Sequence, residues 1–164
     1  MELKNFIFRI DDRLIHGQVN VGWIQPLELK RVYVVDDLAA NDFLTCNLWK
    51  YALDDNMELE VMTFQMFKKK FNQLDFNDSI LLVRSVKSGY EIFDHIGKFT
   101  NVLYIGGLHF QEDKKEIFSW LYLSQTDGVY MRKLMDKNIE ILLKPVYNSK
   151  EIHVTEEFLK DKGL

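Results

Sequence analysis

The 164-residue chain is poor in the features that most often announce a function. It has one cysteine, Cys46, which excludes an internal disulfide and a zinc centre built on thiolates. Cys46 lies in an apolar-periodic segment and reads as core rather than nucleophile. The only prolines are Pro26 and Pro145, and there is no repeat, low-complexity tract or linker, so one domain over residues 1–164 is expected. No apolar run approaches the ~20 residues of a membrane span. The N-terminal MELKNFIFRI has too short an apolar run, with Arg9 inside it, for a signal peptide, and a cytoplasmic protein is expected. Positive charge is not in excess: 21 Lys and Arg stand against 25 Asp and Glu, a net charge of -4 that speaks against general nucleic-acid binding. The run Lys68-Lys69-Lys70 reads as a solvated helix face.

What the chain does have is alternation. Phe6–Ile10, Arg31–Val35, Glu58–Phe64, Ser79–Val83, Asn101–Ile105 and Glu140–Val146 read as strands, with Ile117–Leu123 assigned as a further one on its aromatic content. Ser79–Val83 is apolar throughout, as in a strand buried on both faces. Helical patterns fall between: from Gly17 to near Pro26, from Asn41 or Asp42 through Leu53, over 65–72, from Ser88 to Lys98, from Thr126-Asp127 to Asn138, and a last short one opening at Thr155. In the second of these the apolar stripe is Phe43, Leu44, Leu48 and Ala52. Leu108–Lys115 reads as a loop. Such alternation predicts an α/β fold with a mostly parallel sheet and helices on both faces. Polar strand endings then meet at one edge: 11–18, Asp36-Asp37, Arg84-Ser85 and Gly106-Gly107-Leu108-His109.

The most informative of these endings is RIDDRLIHGQV, residues 9–19. A strand stops at Asp11 and Asp12, Arg13 and His16 follow, and Gly17 opens an amphipathic run. The loop thus lies at a strand's carboxyl end and a helix N-terminus, where free N–H groups favour an anion. An imidazole there suits a phosphoryl acceptor: one ring nitrogen supplies the lone pair and an acceptor holds the other N–H. Arg13 is placed to bind phosphoryl oxygens, with backbone N–H groups at Gly17 and Gln18 helping. The Arg13 charge and the helix terminus are both expected to keep His16 neutral. Asp11 can orient the loop or Arg13, and at least one of the two acids should pair with Arg9 or Arg13. Of the other histidines, His95 and His153 read as surface residues and His109 as a candidate neighbour of the site.

Two other readings compete. A non-catalytic Rossmann-like module for a nucleotide or sugar would rely on Asp36 or Asp37, but the first turn lacks GxGxxG. A metal-dependent phosphatase would use Asp11 or Asp12, with His16 as a further ligand, and Arg13 argues against a tight cation site.

The stretch RIDDRLIHGQV, with Trp23 four residues beyond it, resembles the signature of the IIB subunit of the mannose/fructose/sorbose family of bacterial sugar phosphotransferase systems. VYVVDDLAANDF, NVLYIGG and IEILLKPV are similar to later parts of that family, so the likeness runs through most of the chain. The resemblance implies a three-layer α/β/α sandwich on a mostly parallel sheet of about six or seven strands. It implies a protein-phosphohistidine–sugar phosphotransferase without a bound cofactor or metal. His16 would accept a phosphoryl group, at Nδ1, from a IIA subunit and pass it to a sugar entering through the membrane subunits IIC and IID. Arg13 matches the phosphate-binding loop arginine and Asp11 the first loop acid. The implied place is cytoplasmic, peripheral to the membrane transporter. After Gly107, where many relatives are basic or polar, this chain carries His109-Phe110-Gln111-Glu112-Asp113, read as a segment that tunes partner contact.

Overall fold

The computed structural model describes residues 4–164. Its strands and helices follow the alternation closely. β1 (Phe6–Ile10) leads to α1 (Gly17–Val19), which continues as a π-helical segment (Asn20–Ile24). β2 (Arg31–Val35) is followed by the short α2 (Asp37–Ala40), absent from the sequence reading, and by α3 (Phe43–Ala52). Next come β3 (Glu58–Met62), α4 (Phe64–Lys70) with a 3₁₀ turn (Phe71–Gln73), β4 (Ser79–Val83), α5 (Val86–Ile96) and β5 (Val102–Ile105). A hairpin of β6 (Lys115–Phe118) and β7 (Leu121–Leu123) precedes α6 (Gln125–Asp136), β8 (Glu140–Leu143), β9 (Ile152–His153) and α7 (Glu156–Lys162). Side-chain oxygens cap most of the helices: Asp36, Asp42, Thr63, Ser85 and Thr155 accept from first-turn N–H groups, and Ser124 with Asp127 forms a capping box.

The main sheet has seven strands in the order β3-β2-β4-β1-β5-β8-β9, parallel except for β9. The fully apolar β4 sits between β2 and β1 and is buried along its whole length. Phe8, Ile10, Leu81 and Val83 point to one face, packed with residues of α4, α5, α6 and α7. Ile7, Val32, Val34, Ile80 and Leu82 point to the other, under Val19, Trp23, Ala39 and Leu53. This is the expected three-layer α/β/α arrangement.

The strand order places two topological switch points at the carboxyl edge. From β1 the chain runs toward β2, whereas from β5 it runs toward β8, so a crevice opens between the β1 and β5 loops. A second opens between β2 and β4. Such crevices are where open α/β sheets hold ligands.

Three expectations need correction. The stripe Phe43, Leu44, Leu48 and Ala52 does not face the core: Phe43, Leu44 and Leu48 are 82%, 68% and 59% exposed. Trp49 and Leu53 pack inward instead. Helix α3 is apolar around most of its circumference, so periodicity alone could not choose its buried face. The Asp42 cap, accepting from Leu44 N, Thr45 N and the Thr45 hydroxyl, sets the phase. Cys46 is half-buried rather than core, with Sγ 3.3 Å from the Ala39 carbonyl. The stretch 117–123 is also two strands rather than one, turning at Ser119-Trp120.

Candidate functional site

The site begins with the alternation of side chains along a strand. Ile7, Arg9 and Asp11 share one side of β1 and its extension, which puts a guanidinium and a carboxylate beneath the helix that starts at Gly17. Both are fully buried, and Arg9 Nη2 donates to Asp11 Oδ2 at 2.9 Å. Arg9 also donates to the carbonyls of Lys144 (2.8 Å) and Pro145 (3.0 Å), beyond β8. Its guanidinium lies 4.9 Å from the centre of the Trp23 ring, whose Nε1 donates to the same Pro145 carbonyl at 3.1 Å. Gly106 is glycine because of this arrangement: a Cβ there would fall 1.8 Å from Arg9 Nη2.

Asp11 is therefore held from several sides. Oδ2 also accepts from Gly107 N (3.3 Å), and Oδ1 accepts from Arg13 N (3.2 Å). His16 Nε2 stands 3.0 Å from Oδ1. That contact is short but poorly aligned with the ring N–H, so the carboxylate acts on the imidazole mainly through its charge. Burial pushes the Asp11 carboxyl up, but the His16 contact and the Arg9 charge outweigh it, and its pKa falls below the ordinary value. Burial is also the largest effect on Arg9, whose pKa is lowered although Asp11 raises it.

The loop is pinned at both flanks. Asp11 N donates to the Val83 carbonyl and Asp12 N to the Gly107 carbonyl, each at 3.0 Å, so it bridges the ends of β4 and β5. Leu14 takes a left-handed φ of 57°, unusual for a branched side chain, with its N–H on the Asp11 carbonyl and its side chain fully buried. Packing of Leu14 thus holds the tight turn that brings His16 back over Asp11. His16 is the residue before the first helical turn and makes no cap with its side chain, which is 14% exposed. With Nε2 toward Asp11, Nδ1 is the ring nitrogen left outside that contact. Arg13 is half-exposed, 3.8 Å from Asp11 through Nε, and donates to Gln18 Oε1 at 2.9 Å. His16, Arg13, Asp11, Gly17 and Gln18 thus occupy one loop and helix start, and nothing within 4 Å would meet a Cβ at Gly17.

Asp12 points the opposite way from Asp11. Its carboxylate accepts from His109 N at 2.6 Å and lies 2.7 Å from His109 Nδ1, across the crevice between β1 and β5. His109 is therefore the neighbour that its position suggested. In the second crevice Arg84 grips Asp36 through two nitrogens, at 2.7 and 3.0 Å, and donates to the Asp12 carbonyl at 3.0 Å. Arg84 was visible in the sequence only as a polar strand ending; a bidentate partner just beyond β2 could not be read without the strand order. An open groove of about 590 Å³ runs past the loop, lined by Asp12, Arg13, Arg84, Lys87, His109 and Lys114 among others. His95 and His153 are on the surface, bound to the Glu91 carbonyl and beside Glu140.

The geometry bears on the competing readings. Asp36 caps α2 and is engaged by Arg84, so it is not placed to take a ribose hydroxyl. Asp11 and Asp12 diverge, one onto Arg9 and the other onto His109, and do not form a paired carboxylate site. Among the described residues, no group of three or more His, Cys, Asp or Glu is placed to hold a metal ion.

Comparison with known proteins gives a consistent result. A family model described as "PTS system sorbose subfamily IIB component" matches residues 5–164. The N-acetylgalactosamine-specific phosphotransferase enzyme IIB component 1 of Escherichia coli is 25% identical, covering 84% of this chain and 88% of the relative. A fructose-specific EIIB component of Bacillus subtilis is 26% identical, covering 83% and 84%. The crystal structure of the IIB domain of the sorbose permease from Klebsiella pneumoniae superposes with a TM-score of 0.82 over 99% of this chain and 98% of that one, at 22% identity.

Proposed function

The chain belongs to the sorbose subfamily of phosphotransferase-system IIB components, a family of sugar phosphotransferases, and from that premise we propose that His16 carries the phosphoryl group. The donor is a phosphohistidine on a IIA subunit. Its P–N bond breaks as a bond from phosphorus to His16 Nδ1 forms. The observation that carries this is the Asp11 carboxylate 3.0 Å from Nε2, itself locked by Arg9. Its charge faces the Nε2 side of the ring, leaves Nδ1 outside that contact, and stabilises the positive character that the ring gains when Nδ1 bonds to phosphorus. Arg13, half-exposed, with its guanidinium bonded to Gln18 and 3.8 Å from Asp11, swings onto the phosphoryl oxygens as a guanidinium fork. The first-turn N–H groups at Gly17 and Gln18, which have no intrahelical acceptor, complete the anion site.

In the second step the P–N bond of phospho-His16 breaks and phosphorus bonds to a sugar hydroxyl oxygen. The imidazole leaves with its electron pair, and the sugar comes by way of the IIC and IID membrane subunits. No helix among the described residues is long and apolar enough to cross a membrane, in keeping with a subunit that works at the cytoplasmic face of those partners. No bound cofactor is needed, because the energy arrives in the donor's phosphohistidine.

The test is intact-mass spectrometry after incubation with phosphoenolpyruvate, the general phosphotransferase proteins and a mannose-family IIA subunit. One added phosphate, lost in acid and absent from His16→Gln, is expected. An equal gain in His16→Gln, or no gain from a competent IIA, overturns the assignment.

A further inference from the structure

Transfer between two histidines exchanges one nitrogen for another and requires no proton acceptor. Transfer to a sugar does, because the attacking hydroxyl must lose its proton as the P–O bond forms. We propose that His109, oriented by Asp12, accepts that proton; the inference rests on the reading of His16 given above.

The geometry is that of a base with its orienting acid. Asp12 Oδ1 is 2.7 Å from His109 Nδ1, and Oδ2 accepts from His109 N at 2.6 Å. The carboxylate thus fixes both the backbone and the ring, holds the proton on Nδ1, and leaves the Nε2 lone pair free. Asp12 then stabilises the imidazolium formed when Nε2 takes the hydroxyl proton. The ring also lies beside the phosphoryl site. His109 Cε1, Arg13 Nη2 and Asp11 Oδ1 stand 3.6, 3.4 and 3.7 Å from the point where a Cβ on Gly107 would sit. Asp11 Oδ1 is in turn the atom that faces His16. His109 is half-exposed and lines the open groove of about 590 Å³, which has room for a sugar ring and is also lined by Arg13. The other charges facing this groove are Arg84 from the turn after β4, Lys87 from α5, Asp113 and Lys114 from the His109 loop, and Asp127 in its capping box. Bond changes balance: P–N breaks, P–O forms, His16 recovers its electron pair, and the hydroxyl proton moves to His109 Nε2.

The two half-reactions are measured separately, on the full chain with its cognate membrane subunits in vesicles. Loading of His16 from phospho-IIA is followed by intact mass. Transfer is followed by sugar-phosphate formation from N-acetylgalactosamine, fructose and sorbose in turn. His109→Gln is expected to load at a rate near that of the native chain and to transfer about a hundredfold more slowly. Asp12→Asn should transfer at a rate between those of the native chain and His109→Gln. His109→Gln that transfers at the native rate, or that loses loading and transfer in parallel, overturns the proposal. A native chain that loads but phosphorylates none of the sugars overturns the transfer step itself. Failure of loading in the native chain refutes the His16 reading instead, so the two failures are told apart.

Discussion

Replacing Gly106 by alanine should disable the site from underneath. Nothing about the Gly106 backbone forbids a side chain, because its φ is not in the left-handed region. The obstacle is Arg9: the new Cβ would stand 1.8 Å from Nη2, 2.2 Å from Cζ and 2.7 Å from Nη1. An arginine tip on a surface would move aside at little cost. This one is fully buried and held by Asp11, two carbonyls and the Trp23 face. Moving it forfeits the Nη2 bonds to Asp11 and Pro145 and strands a buried carboxylate. Breaking one side of a buried ion pair typically costs about 3–5 kcal/mol, a large share of the roughly 5–15 kcal/mol that stabilises a domain. For a chain of this size that is a fall in Tm on the order of 10 °C. The assay is urea unfolding of Gly106→Ala, Arg9→Met and the double variant. In the Arg9→Met background the methyl group meets a flexible, uncharged chain, so the two changes should be coupled by roughly 2–3 kcal/mol. Gly17→Ala, with open space at its Cβ, is the control and should lie within about 0.5 kcal/mol of the native chain. Gly106→Ala at native stability, or strictly additive with Arg9→Met, would refute the reasoning.

Acid should unfold the protein through its depressed carboxylates, among them Asp11 and Asp36. Each is lowered in the folded state, so its stabilisation is present above the ordinary carboxylate range of about 4 and is lost as pH falls through the folded pKa. Asp11→Asn should therefore be less stable near neutrality, with a shallower decline of urea midpoint on acidification; an unchanged decline counts against a strong Arg9–Asp11–His16 linkage. Polar substitutions on the outer face of α3, such as Phe43→Ser and Leu48→Gln, should change stability by no more than about 0.5 kcal/mol, as read by thermal melting. A large loss would put that stripe back in the core. Transfer from purified phospho-IIA to the chain should proceed unchanged in excess EDTA, and inhibition would revive a metal-assisted reading of Asp11 or Asp12.

Much of the architecture could be read from pattern because it depends on pattern. β4 is apolar at every position and lies in the sheet interior; Ser124 and Asp127 form a capping box at the start of α6, where a helix was expected. The failures have physical causes too. Helix α3 carries apolar residues on two faces, and its orientation is decided by the Asp42 cap and the anchor at Leu53, neither of which periodicity weighs. The hairpin turns at Ser119-Trp120 without glycine, asparagine or proline, so no turn signal separated its strands. The partnership of Arg84 with Asp36 spans 48 positions and exists only because β4 is inserted beside β2.

The two adjacent acids are the instructive case. As residue types they are interchangeable, and the chain around them offers both Arg9 and Arg13 as partners. Strand parity resolves the choice. Residues two apart share a side, so Asp11 inherits the side of Arg9, and Asp12 must take the opposite one. That places Asp11 under the helix start, where a carboxylate can survive burial only with a cation beside it. It places Asp12 in the crevice between β1 and β5, where Gly107 brings the next loop near enough for His109 to close onto it. One loop thus presents a charge-locked face to the His16 ring and a more exposed face to the groove. The role proposed for His16 calls for such a division, since accepting from a histidine needs a nitrogen kept outside the Asp11 contact and delivering to a hydroxyl needs somewhere to put a proton.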